Sequence, residues 1–183
     1  MSKIYTKQNK YLNDALIYDI QCRIAEDLQI DNVFGKCEKK TIKRNEKEYL
    51  MPVWYAGKND YILISPDDTQ LKNFCFFVVD DAQNVELKHD IKLTIKSKFS
   101  IIFWFDYRTL QDADERNNEK IKYDILQCLR NVASTYGNIA IIKIYEEVKN
   151  IFYGFDLREI DNQFLTMPFG GFRFEGEMIT KQC

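Results

Sequence analysis

Histidine is nearly missing from this chain, and His89 is the only one. A His-based triad or a multi-His metal site would have to use it alone. Its neighbours Glu86, Lys88 and Asp90 point instead to an exposed loop or strand edge. The five cysteines, Cys22, Cys37, Cys75, Cys128 and Cys183, are widely and irregularly spaced with no Cys-x-x-Cys pair, which removes the zinc ribbon. Their odd number, and a polar Met1–Lys10 stretch without an apolar leader core, argue against a secreted disulfide framework. Free thiols in the cytoplasm are expected, with Cys22 and Cys128 buried as small hydrophobes. No run approaches the roughly 18 apolar residues of a membrane span. No basic block exists either. The 26 basic and 28 acidic residues are mixed along the chain for a net charge of −2, so a dedicated nucleic-acid partner is not expected. A phosphate-cradling glycine loop and a Gly-x-Ser-x-Gly elbow are both absent, and nothing implies a cofactor. Gly170-Gly171 lacks a following helix or lysine and reads as a turn or a close-packing site.

What the chain does have is apolar and aromatic surface. Hydrophobic residues make up 45% of it, with 13 Phe and 11 Tyr among 183 residues, enough to bury a core as one domain over 1–183. Leu12, Leu16, Ile20, Ile24 and Leu28 recur every four residues, which predicts an amphipathic helix from about Tyr11 to Gln29. The stretch Glu48–Tyr55, the turn Gly57-Lys58-Asn59-Asp60 and Tyr61–Ile64 read as a β-hairpin, with Pro52 arguing for an edge or a bulge. Phe74–Val79 is an apolar strand closed by Asp80-Asp81. Ile91–Lys96 alternates as a half-buried strand, and Phe99–Phe105 is a central one. Thr109–Asn118 reads as a polar loop. Asn118 then caps a second helix whose face is Ile121, Ile125, Cys128, Leu129 and Val132, ending near Ser134 before Gly137. Ile139–Tyr145 is a strand, Glu146–Phe155 a short helix or irregular strand, and Met167–Gly171 a turn. Phe172, Phe174 and Met178 alternate in a last strand. Strands cluster ahead of the second helix, so the expected fold is α+β: a mostly antiparallel or mixed sheet with two main helices on one face.

The sharpest enzymatic constellation is Pro66-Asp67 followed by Glu86-Leu87-Lys88. It resembles the signature of a nuclease superfamily in which Asp and Glu hold a divalent metal and Lys orients water. That chemistry needs both carboxylates on adjacent strands facing one pocket. Asp67-Asp68 and Asp80-Asp81 are paired carboxylates at strand ends, where turn hydrogen bonds alone favour Asp. Asp112, Asp114 and Glu115 resemble part of a calcium loop but lack its glycine and closing glutamate, so they read as a solvated loop. The aromatic load is the other candidate. Runs such as Phe99–Phe105 leave both strand faces apolar. With helices on one face only, the other face needs a cover, and a partner subunit is the natural one. Trp54, Tyr55, Phe76 and Trp104 are the expected interface residues.

The order of segments adds a resemblance. After a first helix come Met51-Pro52-Val53-Trp54-Tyr55, Ile64-Ser65-Pro66-Asp67-Asp68 and Phe74-Cys75-Phe76-Phe77. Ile101–Asp106 and the Lys122–Val132 helix follow, then Met167-Pro168-Phe169-Gly170-Gly171-Phe172-Arg173-Phe174 and a close on Cys183. This layout resembles small tail-assembly proteins of phages and prophages of Bacteroides-type bacteria, in outline tail-terminator or tail-completion proteins. The resemblance implies a non-enzymatic, cofactor-free subunit that self-associates into a ring, a hexamer capping the tail tube, with tail-tube or connector proteins as partners. It carries no individual site residues. The expectation is therefore structural assembly. A metal-dependent nuclease using Asp67, Glu86 and Lys88, and a cytosolic adaptor or immunity-type binding module, stand as the alternatives.

Overall fold

A computed structural model describes residues 2–44, 46–88, 92–110 and 117–182, with the side chains of 87, 88, 92 and 182 outside the description. His89, the calcium-loop-like Asp112, Asp114 and Glu115, and Cys183 lie outside the described residues. In chain order the elements are β1 (Lys3–Tyr5), α1 (Asn13–Asp27), β2 (Asn32–Lys36), β3 (Glu38–Arg44), β4 (Lys47–Gly57), β5 (Asp60–Leu63) and β6 (Phe74–Lys88). Then follow β7 (Lys92–Asp106), α2 (Tyr107–Leu110), α3 (Asn118–Arg130), β8 (Gly137–Tyr145), α4 (Val148–Ile151), a 3₁₀ turn (Asn162–Phe164) and β9 (Phe169–Gln182). Six strands form one sheet in the order β1-β2-β6-β7-β9-β8, and β3-β4-β5 form a second. In the large sheet β1, β2 and β6 run parallel to one another and the remaining pairs are antiparallel, so the fold is α+β with a mixed sheet.

Both helical stripes land on one face of the large sheet. Leu16, Ile17, Ile20 and Ile24 of α1, with Ile121, Ile125, Cys128 and Leu129 of α3, pack on Cys75, Phe77, Ile101, Phe103, Phe172 and Phe174. Buried polar groups fix the approach of α1. The Gln21 amide donates to the Tyr5 and Val33 carbonyls, both at 2.9 Å, and so clips β1 and β2 to the helix. The Asn13 amide donates to Ser97 Oγ and accepts from Thr180 Oγ1, both at 3.0 Å, which ties the helix start to β7 and β9. Asn117, not Asn118, caps α3, because its side chain accepts the Lys120 N–H at 3.0 Å.

The opposite face is where sequence and structure part. Phe74, Phe76, Ile102 and Trp104 point away from the helices, but no second subunit is needed to cover them. The chain covers them, and Phe34 of β2 beside them, with Ile64, Leu71, Ile151 and Phe152, helped by half-buried Trp54, Ile62 and Phe155. The small sheet and the α4 region fold over this face. Phe76 and Trp104 are 0% and 1% exposed, so they belong to the core and not to an interface. Trp54 packs against Tyr5 and Phe34, and Tyr55 against Tyr61. The two-sided runs Phe74–Val79 and Phe99–Phe105 are therefore a sheet buried on both faces by one chain.

Several local expectations also shift. Pro52 lies in β4, the middle strand of the small sheet, and not at an edge or bulge. Its carbonyl accepts the Ile64 N–H at 2.9 Å, so its missing donor faces β5 at the point where β5 ends. Beyond it the Asp156 N–H takes over on that side, donating to the Leu50 carbonyl at 2.8 Å. Asp80-Asp81 does not close a strand, because β6 passes through a bulge between Val79 and Gln83 and continues to Lys88. The strands expected at 91–96 and 99–105 are one, β7. Gly170-Gly171 belongs to β9 and not to a turn. A Cβ on Gly171 would collide with the Phe103 carbonyl, so the close-packing alternative holds there. Cys37, Cys75 and Cys128 are buried free thiols, whereas Cys22, expected in the core, is only half-buried.

Candidate functional site

The nuclease constellation is not assembled. Asp67 lies in the loop after β5, where its carboxylate takes the Arg44 guanidinium at 3.0 Å and the Ser65 hydroxyl. Its neighbours Pro66 and Asp68 line the same pole as Asn73, at the start of β6. Glu86 lies twelve residues along β6 from Phe74, about 40 Å away at ~3.3 Å per residue, and pairs with Lys96 at 2.9 Å. The backbone of Lys88 ends that strand. Among the described residues no three His, Cys, Asp or Glu side chains gather as a metal-binding group. Asp80 and Asp81 lie in the bulged stretch of β6.

The pole near Asp67 does hold a cleft of about 1040 Å³ between α1, α2 and the chain before β9. Asn73 organises its floor, donating to Thr109 Oγ1 at 2.7 Å and accepting the Asp106 N–H at 2.9 Å. Asp106 is clamped by Arg108 through Nε at 2.9 Å and Nη2 at 2.7 Å. Those hydrogen bonds hold the Asp106 carboxyl below its usual range and raise Arg108. An acid pinned this way is poorly suited to proton transfer near neutral pH. The Trp104 indole N–H at this pole is buried and finds no acceptor among the described residues. A second polar cluster lies where the chain covers the small sheet. There the Tyr49 hydroxyl donates to Glu159, and burial followed by that bond pushes its pKa up to about 12.

The feature without an internal role is an edge. β8 is the last strand of the large sheet and, among the described residues, pairs only with β9. Its nine residues, Gly-Asn-Ile-Ala-Ile-Ile-Lys-Ile-Tyr, carry one charge, Lys143. Ile142 is 61% exposed and Ile144 37%, with Tyr136 just ahead of the strand also exposed. The sequence allowed the strand to be found but not its position at the rim. Edge position is set by β9, which arrives after β8 in the chain yet inserts between β7 and β8. Gly176 makes that insertion tight, since a Cβ there would strike the Ala140 carbonyl. The molecule's other edges differ. β1 and β5 have three and four residues, and β3 carries Lys39, Lys40, Lys43 and Arg44, a row of charge that discourages strand addition.

A bulge between Ile141 and Lys143 leaves the faces of β8 well defined on either side. Ile139 lies opposite Met178 and Ile144 opposite Phe174, both on the helical face. Ala140 lies opposite Glu177 and Lys143 opposite Glu175, both on the other face. There the sheet is charged, and Arg173, buried, pairs with Glu175 at 2.9 Å and donates to the Tyr153 carbonyl at 3.0 Å. Among the described residues no helix is long and apolar enough to cross a membrane. No family model matches the chain, and no curated protein matches it.

Proposed function

We propose that this protein is a non-catalytic structural subunit that works by self-association, in the assembly of a phage or prophage tail or head–tail connector. The observation that supports self-association is the open β8 edge. An exposed strand of this length offers unpaired N–H and C=O groups and isoleucine side chains at once, and proteins normally blunt such an edge. The support differs from the one the sequence suggested. The aromatic runs of the sheet are covered on both faces by the chain itself, so the adhesive surface is the rim. The tail or connector setting, and the ring form within it, rest on the segment-order resemblance.

Light scattering on the purified chain from micromolar to millimolar concentration tests the reading. A mass rising above that of one chain is the expected result. A single chain at every concentration, with no binding to tail-tube protein, overturns it.

A further inference from the structure

We infer that the partner of β8 is the β8 strand of a second copy, paired antiparallel about a two-fold axis through the middle of the strand, so that two large sheets become one. This rests on the self-association reading and names its contact. The inference comes from how the two halves of β8 match. Running antiparallel about a central axis perpendicular to the sheet, residues 138–140 of one copy face 143–145 of the other, and each face meets its own kind. On the helical face, half-buried Ile139 meets exposed Ile144 of the partner subunit, an apolar pair that continues the core of Met178 and Phe174 across the junction. On the other face, Lys143 comes to lie over Ala140.

Ala140 is small, and directly behind it in register lies Glu177. Lys143 and Glu177 are both exposed. Within the chain Lys143 lies opposite Glu175, and Glu177 lies opposite Lys98 and acts on Lys96, but among the described residues neither closes an ion pair at contact distance. With strands about 4.8 Å apart, Lys143 sits two strand spacings from Glu177 across the junction, a gap that two long side chains bridge over a methyl group. The only charge in the edge strand thus meets an acid, not its own like-charged copy. Two symmetric Lys143–Glu177 bridges flank the axis, and Ile142 is covered at the centre.

Three variants and one cross-link test this. Lys143→Glu should weaken the dimer about tenfold by light scattering, in the range of a close interfacial charge pair. Glu177→Lys should do the same, and the double exchange should recover most of the loss. Circular dichroism checks that each variant folds. Independently of any variant, a zero-length carbodiimide applied to a mixture of isotope-labelled and unlabelled wild-type protein should give a mixed-isotope Lys143–Glu177 peptide. Wild-type protein that associates, yields only same-isotope peptide and ignores the charge exchange overturns the β8 pairing and leaves self-association standing on another surface. Wild-type protein that never associates overturns both.

Discussion

Replacing Trp104 by Ala separates a core that one chain closes from one completed by a partner. Trp104 is 1% exposed and packs edge-on against Phe152 at 5.1 Å between ring centroids, inside the cluster that joins the large sheet to the small sheet and α4. A buried indole removes about 200 Å² from water, worth about 5 kcal/mol at ~25 cal/mol per Å². Measured truncations of this kind cost about 3–5 kcal/mol once partial collapse of the cavity is allowed. For a chain of this size that is a fall in melting temperature of about 6–20 °C. The assay is urea unfolding and calorimetry on dilute protein, where one copy acts alone. Trp104→Phe should cost much less, about 1–2 kcal/mol, because it keeps most of the ring area and discards an indole N–H that has no acceptor among the described residues. A Trp104→Ala loss under about 1 kcal/mol in dilute protein, with the difference emerging only at high concentration, would refute the self-closed core and return Trp104 to an interface.

Gln21→Leu leaves the Tyr5 and Val33 carbonyls without their donor, so β1 should fray first. The expected cost is about 1–3 kcal/mol, with β1 amides losing exchange protection ahead of the rest. Gly176→Ala should push β8 off β9 by collision with the Ala140 carbonyl, seen as selective loss of β8 protection while α1 and β7 stay protected. Asp106, held low by Arg108, adds stability that is full above the ordinary carboxylate range and is lost as the pH falls through its lowered folded value. Asp106→Asn should therefore flatten the acid limb of a stability-versus-pH curve and leave its neutral region with a uniform offset.

The readable parts of the fold were those carried by local periodicity. The four-residue spacing of Leu16, Ile20 and Ile24 defined α1, and the turn between Gly57 and Asp60 defined the β4–β5 hairpin. β3 was not readable, because Glu38–Arg44 is almost wholly charged and is a strand only through its pairing with β4. β6 looked too short because Asp80 and Asp81 are turn formers that a bulge absorbs here. The largest gap concerned long-range order. The Phe99–Phe105 run correctly signalled a strand apolar on both sides. No local pattern could show that residues inserted between β2 and β6, together with 148–165, fold back to cover its second side. The same holds for the candidate site. The Ile139–Tyr145 segment was legible as a strand, while its place at the rim depends on β9 slotting in ahead of it.

Hydrogen exchange across residues 137–145, followed from dilute to concentrated protein, addresses the open edge itself. If that rim is the assembly surface, the outward amides of β8 exchange rapidly in dilute protein and become protected as the particle mass rises, while the lysine-rich β3 rim stays unchanged. Unaltered β8 exchange in a sample whose mass has risen would contradict it.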